Sequence, residues 1–430
     1  MSMGMNRRMR ILMLSLHGYV SVEPELGKPD TGGQVTFILE LAKRFSRLGH
    51  NVDLITRQFE DQVESELVND NFRILRIPFG GKDFIRKEDM HDYLGDFITN
   101  FLAKIRSVGL EYDVISSHYW DAGWAGQRTS EELQIIHVHT PHSLGWWKRA
   151  EMEQSKGEIE GDYRFKERIN KEYRIYQSCD HIIATTDQQK EIIAEQYDVP
   201  ERHVTVIPPG INENQFYPLP SAEIERIREK YNLREEDVLL LGRLAENKGY
   251  DLFIKCMPIL QKLVPDIRAV LALGTEDSLQ DQEFTSQLKE LAGEVNVADL
   301  IEWRYFIPDE DLADVYRGVG VFVMPSRYEP FGMTAVEAMA CGTPTVITRN
   351  GALHENLRFG SHALFVDPEI PLELAVVVSL PFRHPELHQE LSREGARMAR
   401  RRFGWTGIAR STLEIFSAIR HVRRFEEEEV

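Results

Sequence analysis

The stretch "GQVTFILELAKRFSRLGHNVDLITR", residues 33–57, contains two periodicities in succession. Val35, Ile38, Leu39, Ala42 and Phe45 recur at helical spacing, so residues 33–49 read as an amphipathic helix with one apolar face. After Gly49 comes "NVDLITR" (51–57), a short β-rich run, and upstream "RILMLSL" (10–16) is another. Strand–helix alternation with near-continuous apolar strands predicts a parallel sheet covered by helices on both faces.

The same alternation continues through "FRILRIPF" (72–79), "DVISSHY" (113–119), "IIHVHT" (135–140), "HIIATT" (181–186) and "VTVIPPG" (204–210). A Pro- and Asn-rich stretch at 208–223 then reads as a linker. Beyond it the pattern restarts with "DVLLLGRL" (237–244), "IRAVLALG" (267–274), "LIEWRYF" (300–306), "VGVFVMP" (319–325), "TPTVITR" (343–349) and "ALFVDP" (363–368). The chain is therefore expected to be α/β, with two Rossmann-like doubly wound domains facing a cleft, at 9–213 and 220–403. A C-terminal helix at 404–430 should pack back on the first domain. Ligands of such sheets bind beyond the carboxyl ends of the strands, so the residues after each strand carry the functional question.

Bulk properties narrow the classes. A chain of 430 residues is too long for one core and suits two domains. A net charge of −18 argues against nucleic acid or an anionic membrane as partner. The three cysteines, Cys179, Cys256 and Cys341, are widely spaced, which fits a reducing cytosol. Neither a signal peptide nor a run long enough to span a membrane is visible, so the expectation is a cytoplasmic protein. Glu426 to Glu429 read as a solvated terminus.

Several strand ends carry chemistry. Asp30-Thr31-Gly32-Gly33-Gln34 closes a long loop at a helix start, where backbone amides favour an anion or a polyhydroxyl group. It is not G-x-G-x-x-G, which disfavours a dinucleotide-binding dehydrogenase. Lys82, Arg86 and Lys87 in "GGKDFIRKED" (80–89) form a basic cluster suited to a phosphate monoester. His118, Tyr119, Asp121, His142, Ser143 and Lys148 fall at consecutive strand ends and suit a sugar site, whereas a zinc reading of the histidines lacks an acid or cysteine in register. Trp146 and Trp147 read as packing residues. In the second half, Arg243 and Lys248 flank one turn and could clamp a diphosphate.

"SRYEPFGMTAVEAMACGTP" (326–344) completes the set. The Gly332-Met333-Thr334 turn opens a helix whose first amides can seat a diphosphate. Glu329 before it and Glu337 one turn in could each accept a pair of hydroxyls, one on a sugar and one on a ribose.

Glu-Pro-Phe-Gly-Met-Thr-Ala-Val-Glu, with Gly-Arg…Asn-Lys-Gly upstream, resembles the signature of retaining nucleotide-sugar glycosyltransferases of family 4, which have the GT-B fold. "DTGGQV", "SHYWDAG" and "TPHSLG…K" are similar to the sucrose-phosphate synthase and mannosylfructose-phosphate synthase group, and the resemblance runs from about Arg10 to His362. It implies a hexosyltransferase taking a nucleotide sugar, GDP-mannose or UDP-glucose, to fructose 6-phosphate with retention at the anomeric carbon. It also implies no metal and no cofactor, since front-face attack is assisted by the leaving phosphate. A sugar-phosphate phosphatase would act downstream.

Carried over by motif, Glu329 contacts donor-sugar hydroxyls and Glu337 the ribose. Arg243, Lys248 and the amides from Phe331 through Gly332 and Met333 to Thr334 meet the diphosphate, with Gly33 also near the donor. His142 meets the donor sugar. The acceptor falls to Gly32, Gly33, Gln34, Tyr119, Ser143 and Lys148, with Lys87 and Arg168 for its phosphate. Asn350-Gly351-Ala352-Leu353 departs from the Gly-Gly-Pro of relatives, so no contact is assigned there. Another acceptor, or a non-catalytic sugar-binding relative, is the alternative; a pyridoxal-phosphate phosphorylase lacks a matching lysine context.

Overall fold

The computed structural model describes residues 8–22, 33–156, 163–242, 244–273, 279–305, 307–329 and 331–428. The chain divides into two compact units, Met1–Pro209 with Ile408–Val430, and Gly210–Gly407.

The first unit is built on β1 (Arg10–Leu14), β2 (Asn51–Gln58), β3 (Ser65–Asn69), β4 (Phe72–Pro78), β5 (Val114–His118), β6 (Ile136–Thr140), β7 (His181–Ala184) and β8 (Val204–Val206). Their order across the sheet is β3-β4-β2-β1-β5-β6-β7-β8, parallel throughout except for β3 against β4. β3 is the strand that hydrophobic patterning misses. "SELVN" lies at the sheet edge with alternate exposed residues, so it carries almost no apolar signal. The central strands are buried on both faces, and each fully buried aliphatic or phenyl side chain contributes roughly 1.5–3 kcal/mol.

Buried polar residues in those strands pair with one another. Ser117 Oγ lies 2.6 Å from His137 Nε2 and 2.8 Å from His139 Nδ1, and burial holds both imidazoles well below their ordinary pKa. The C-terminal helix Trp405–Glu428 adds to this unit through Phe416, whose ring is 5.8 Å from Phe45, and through ion pairs of Arg420 with Asp113 and Arg423 with Asp180.

The second unit carries β9 (Asp237–Leu241), β10 (Arg268–Ala272), β11 (Ile301–Arg304), β12 (Val321–Met324), β13 (Thr345–Thr348) and β14 (Leu364–Val366). All are parallel, in the order β11-β10-β9-β12-β13-β14. Helices Tyr250–Leu263 and Pro371–Arg383 supply one core layer, and Met333–Ala340 with Asp309–Gly318 the other.

Each sheet reverses direction of growth once, between β1 and β5 in the first and between β9 and β12 in the second. Loops at such a reversal diverge and leave a crevice beyond the carboxyl ends. Among the described residues no helix is long and apolar enough to cross a membrane.

Candidate functional site

At the first reversal, β1 leads to His17 and β5 leads to Tyr119 and Asp121. The buried Asp121 carboxylate accepts from His17 Nδ1 at 2.9 Å and from the Ala122 amide at 2.9 Å. The carboxylate needs a donor, so the His17 proton sits on Nδ1. Tyr119 has φ 75° and ψ 165°, a region otherwise occupied almost only by glycine. Its surroundings over-determine it: its amide donates to Thr140 O at 3.0 Å, and its ring centroid lies 4.6 Å from that of His17.

Arg168 fixes the other side of Tyr119. Nη1 donates to the Tyr119 hydroxyl at 2.9 Å, Nη2 to Ser143 O at 2.9 Å and Ser143 Oγ at 3.4 Å, and Nε to Glu172 Oε1 at 2.7 Å. Glu172, wholly buried, also accepts from the Gly145 amide at the start of helix Gly145–Lys156 and from the Tyr197 hydroxyl. Most of the Arg168 donors are therefore spent on protein partners. The phosphate role expected for Arg168 becomes chiefly a positioning one, holding Tyr119 and Ser143 in register.

Tyr119 and Arg168 nevertheless line a cleft with Lys87 and Lys148, so four of the acceptor candidates come together. Lys87 reaches it because the buried Arg57 guanidinium donates to Phe79 O, Gly80 O and Gly81 O and so fixes the start of the basic loop. Arg86, from the same loop, instead pairs with Asp89 at 2.8 Å.

His142 has φ 59° and shares a 3.0 Å hydrogen bond between its Nε2 and His118 Nδ1. Burial lowers its pKa to about 3, so it is neutral at physiological pH and can serve as donor or acceptor to a hydroxyl. Phe37, near the start of helix Gly33–Arg47, meets the His142 ring edge-on at 4.9 Å. Gln34, the second residue of that helix, has its Nε2 buried and without a partner among the described residues. Gly33 is its first residue, while Gly32 lies outside the described residues. Of the two tryptophans read as packing, Trp147 packs on the core, whereas Trp146 is 38% exposed.

At the second reversal, β9 leads to Lys248 and β12 leads to Glu329. Lys248 Nζ donates to Glu329 Oε2 at 2.6 Å, and Ser326 Oγ donates to the same oxygen at 3.2 Å. Gly249 has φ +71°, and a Cβ there would stand 2.0 Å from Pro325 O, so only glycine allows the two loops to approach this closely. Lys248, Ser326 and Thr334 line one recess. Thr334 and Met333 open helix Met333–Ala340, whose preceding Gly332 has φ +91° and no side-chain cap, so the first amides are unmet within the helix. Phe331 turns its ring into the core, 5.5 Å from Phe403, leaving its backbone for a ligand. Arg243 lies outside the described residues.

Glu337, one turn into the helix, accepts from the Tyr316 hydroxyl at 3.0 Å. Burial raises its pKa to about 7. Sequence patterning does not find Tyr316, because a tyrosine on an unremarkable helix gives no motif; nor does it find Glu172 or His17 as positioning groups. Among the described residues no group of three His, Cys, Asp or Glu side chains stands together as a metal site.

Comparison with known proteins fits this geometry. Residues 223–398 match the family described as "Glycosyl transferases group 1", and residues 31–215 match "Glycosyltransferase Family 4". The chain is 48% identical to a mannosylfructose-phosphate synthase of Agrobacterium fabrum, over 94% of this chain and 90% of that protein. It is 30% identical to a probable sucrose-phosphate synthase of Thermosipho melanesiensis, over 90% of this chain and 91% of the relative. A solved sucrose-phosphate synthase from Thermosynechococcus elongatus superposes with a TM-score of 0.70 at 26% identity, covering 96% of this chain and 99% of the other.

Proposed function

The chain belongs to the family-4, group 1 glycosyltransferases, and from that premise we propose that it transfers a hexosyl group from a nucleotide sugar to fructose 6-phosphate, with retention of anomeric configuration. The observation that carries this reading is the 48% identity to a mannosylfructose-phosphate synthase over nearly the whole of both chains. The assembly of Lys87, Tyr119, Lys148 and Arg168 around one cleft supports it, because a sugar phosphate needs cations beside hydroxyl partners. The identity favours a mannosyl donor, GDP-mannose, over UDP-glucose.

In this reading the second unit holds the donor. The amides of Met333 and Thr334 and the Lys248 ammonium receive the diphosphate, and the motif assigns Arg243 the same role. A diphosphate arriving at Lys248 competes with Glu329 for it, which turns the Glu329 carboxylate toward the hydroxyls of the transferred sugar. Glu337 takes the ribose diol. His142, neutral, donates to or accepts from a sugar hydroxyl, and Gly33 with Gln34 brings backbone and amide groups to the same region. As the bond to the leaving phosphate breaks, negative charge grows on its oxygen, and preorganised cations and amides stabilise it there. The acceptor hydroxyl attacks from the same face and passes its proton to that phosphate, so the scheme calls for no metal or cofactor.

The three buried, free cysteines fit a cytoplasmic setting. The product would keep its phosphate, so a sugar-phosphate phosphatase is the class of enzyme to consume it.

The test is a panel of GDP-mannose, UDP-glucose and other nucleotide sugars with fructose 6-phosphate, scored by released GDP or UDP. Turnover with GDP-mannose and configuration retained in the product are expected. No turnover with any hexose phosphate would overturn the acceptor assignment.

A further inference from the structure

His91 is absent from every motif discussed so far, yet it lines the cleft that gathers Lys87, Tyr119, Lys148 and Arg168. It sits on the short 3-10 turn Met90–Asp92, with its side chain 1% exposed. Its ring stacks on Trp120, centroids 3.9 Å apart and planes 20° from parallel.

The protonation of that ring follows from its neighbours. Lys171 Nζ lies 2.8 Å from His91 Nδ1 and 2.9 Å from Glu167 Oε1. An ammonium has hydrogens and no lone pair, so it can only donate to Nδ1. Glu167 Oε1, at 3.4 Å, is the more distant partner of Nδ1. Nδ1 is thus an acceptor, and the neutral ring must carry its one proton on Nε2. Burial, and then the Lys171 charge, lower the His91 pKa to about 4, which keeps the ring neutral at physiological pH.

Nε2 is therefore an oriented N–H donor, buried and without a hydrogen-bond partner among the described residues. A buried donor of this kind is costly unless something accepts from it. The cleft around it is lined by Lys87, Lys148 and one acid, Glu88, and by Arg168, whose charge is already met by Glu172. An incoming anionic oxygen is the group that satisfies this donor in a cleft that also presents two lysines.

We propose that His91 is a further acceptor-binding residue, whose Nε2–H donates to a phosphate oxygen of the sugar-phosphate acceptor, with Lys171 and Trp120 fixing its tautomer and plane. This rests on the assignment of a sugar phosphate to this cleft. Lys171 is then a positioning residue, acting through the ring.

Two measurements on the full chain test this and separate it from the proposed reaction. The first is calorimetric titration with inorganic phosphate of the wild-type protein, His91→Leu and His91→Gln. Leucine fills the space without a donor, and glutamine returns an N–H near the position of Nε2. Phosphate affinity should fall roughly tenfold in His91→Leu, the scale of one charge-assisted hydrogen bond, and recover in His91→Gln. The second is steady-state kinetics: KM for fructose 6-phosphate should rise about as much in His91→Leu, with kcat and the use of unphosphorylated fructose little changed.

Equal phosphate binding by wild type and His91→Leu would overturn the proposal, as would no phosphate binding by the wild type, or equal losses with phosphorylated and unphosphorylated acceptors. Should His91→Leu fail to fold, His91→Phe, which keeps a ring on Trp120 but carries no donor, takes its place, and phosphate binding equal to wild type would overturn the proposal in the same way. If phosphate binding depends on His91 but no hexose phosphate turns over, the reaction assignment fails and the anion site stands.

Discussion

Lys248 Nζ stands 2.6 Å from Glu329 Oε2, joining the loops that leave β9 and β12 at the point where the second sheet reverses. Neither residue is fully buried, at 22% and 10% side-chain exposure, so the pair stays open to exchange with a ligand. An isolated pair of this kind adds little stability, and its value lies in the two groups being preplaced. Lys248→Ala should lower kcat by about two orders of magnitude, as loss of one preorganised cation does. Glu329→Gln should also be severely impaired, and the double variant should be no worse than additive, since contacting residues couple. Steady-state kinetics of nucleotide release checks all three; near-wild-type turnover of Lys248→Ala would remove it from the donor site.

Glu337 gives a pH signature. Its pKa is about 7 when folded against an ordinary 4.5, so the native state holds a proton that the unfolded chain has released. Stability should be fully present below about pH 4.5 and decline as pH rises through about 7, by up to about 3 kcal/mol from this one group. Glu337→Gln should lack that decline, and denaturant unfolding of both proteins between pH 4.5 and 8 reads the difference. Parallel curves for the two proteins would refute it.

The Arg168–Glu172 pair is buried, with side-chain exposures of 5% and 0%. Removing one member strands the other charge, so Glu172→Leu should cost about 3–5 kcal/mol and lower the melting temperature. Arg168→Lys keeps the charge but loses the fork that holds Tyr119 and Ser143 together. It should lose acceptor affinity more than stability, which thermal unfolding and acceptor KM would separate.

Gly249→Ala tests how closely the two donor loops must approach. Its Cβ would stand 2.0 Å from Pro325 O at a φ of +71°. A cost of at least about 1–2 kcal/mol is expected from the left-handed conformation alone, together with displacement of Lys248 and reduced turnover. An unchanged melting temperature and rate would show that the loops can separate without consequence.

The parallel strands were legible because they are buried on both faces and so are nearly continuously apolar. β3 was not, because half of "SELVN" faces solvent and its pairing is set by β4 rather than by its own composition. The donor loops were legible as a motif, since glycine, glutamate and lysine at fixed offsets are local features. The roles of Tyr316, Glu172 and His91 were not. Each meets its partner across a distance in sequence: Tyr316 with Glu337, Glu172 with Tyr197, His91 with Lys171. Arg168 shows the converse. Its charge suggested a ligand, and only its surroundings reveal how many of its donors are already committed.

The first unit is completed by a segment that follows the whole of the second in sequence. Residues up to Pro209 leave the ribosome well before Ile408 is synthesised, because the whole of Gly210–Gly407 comes between. A nascent first unit therefore forms its sheet with Phe45, Asp113 and Asp180 still lacking Phe416, Arg420 and Arg423. Domains made first generally fold first, but this one waits, with Phe45 uncovered, until the segment from Ile408 onward has been made. Arrival of that segment, rather than completion of the first sheet, is the event that finishes it.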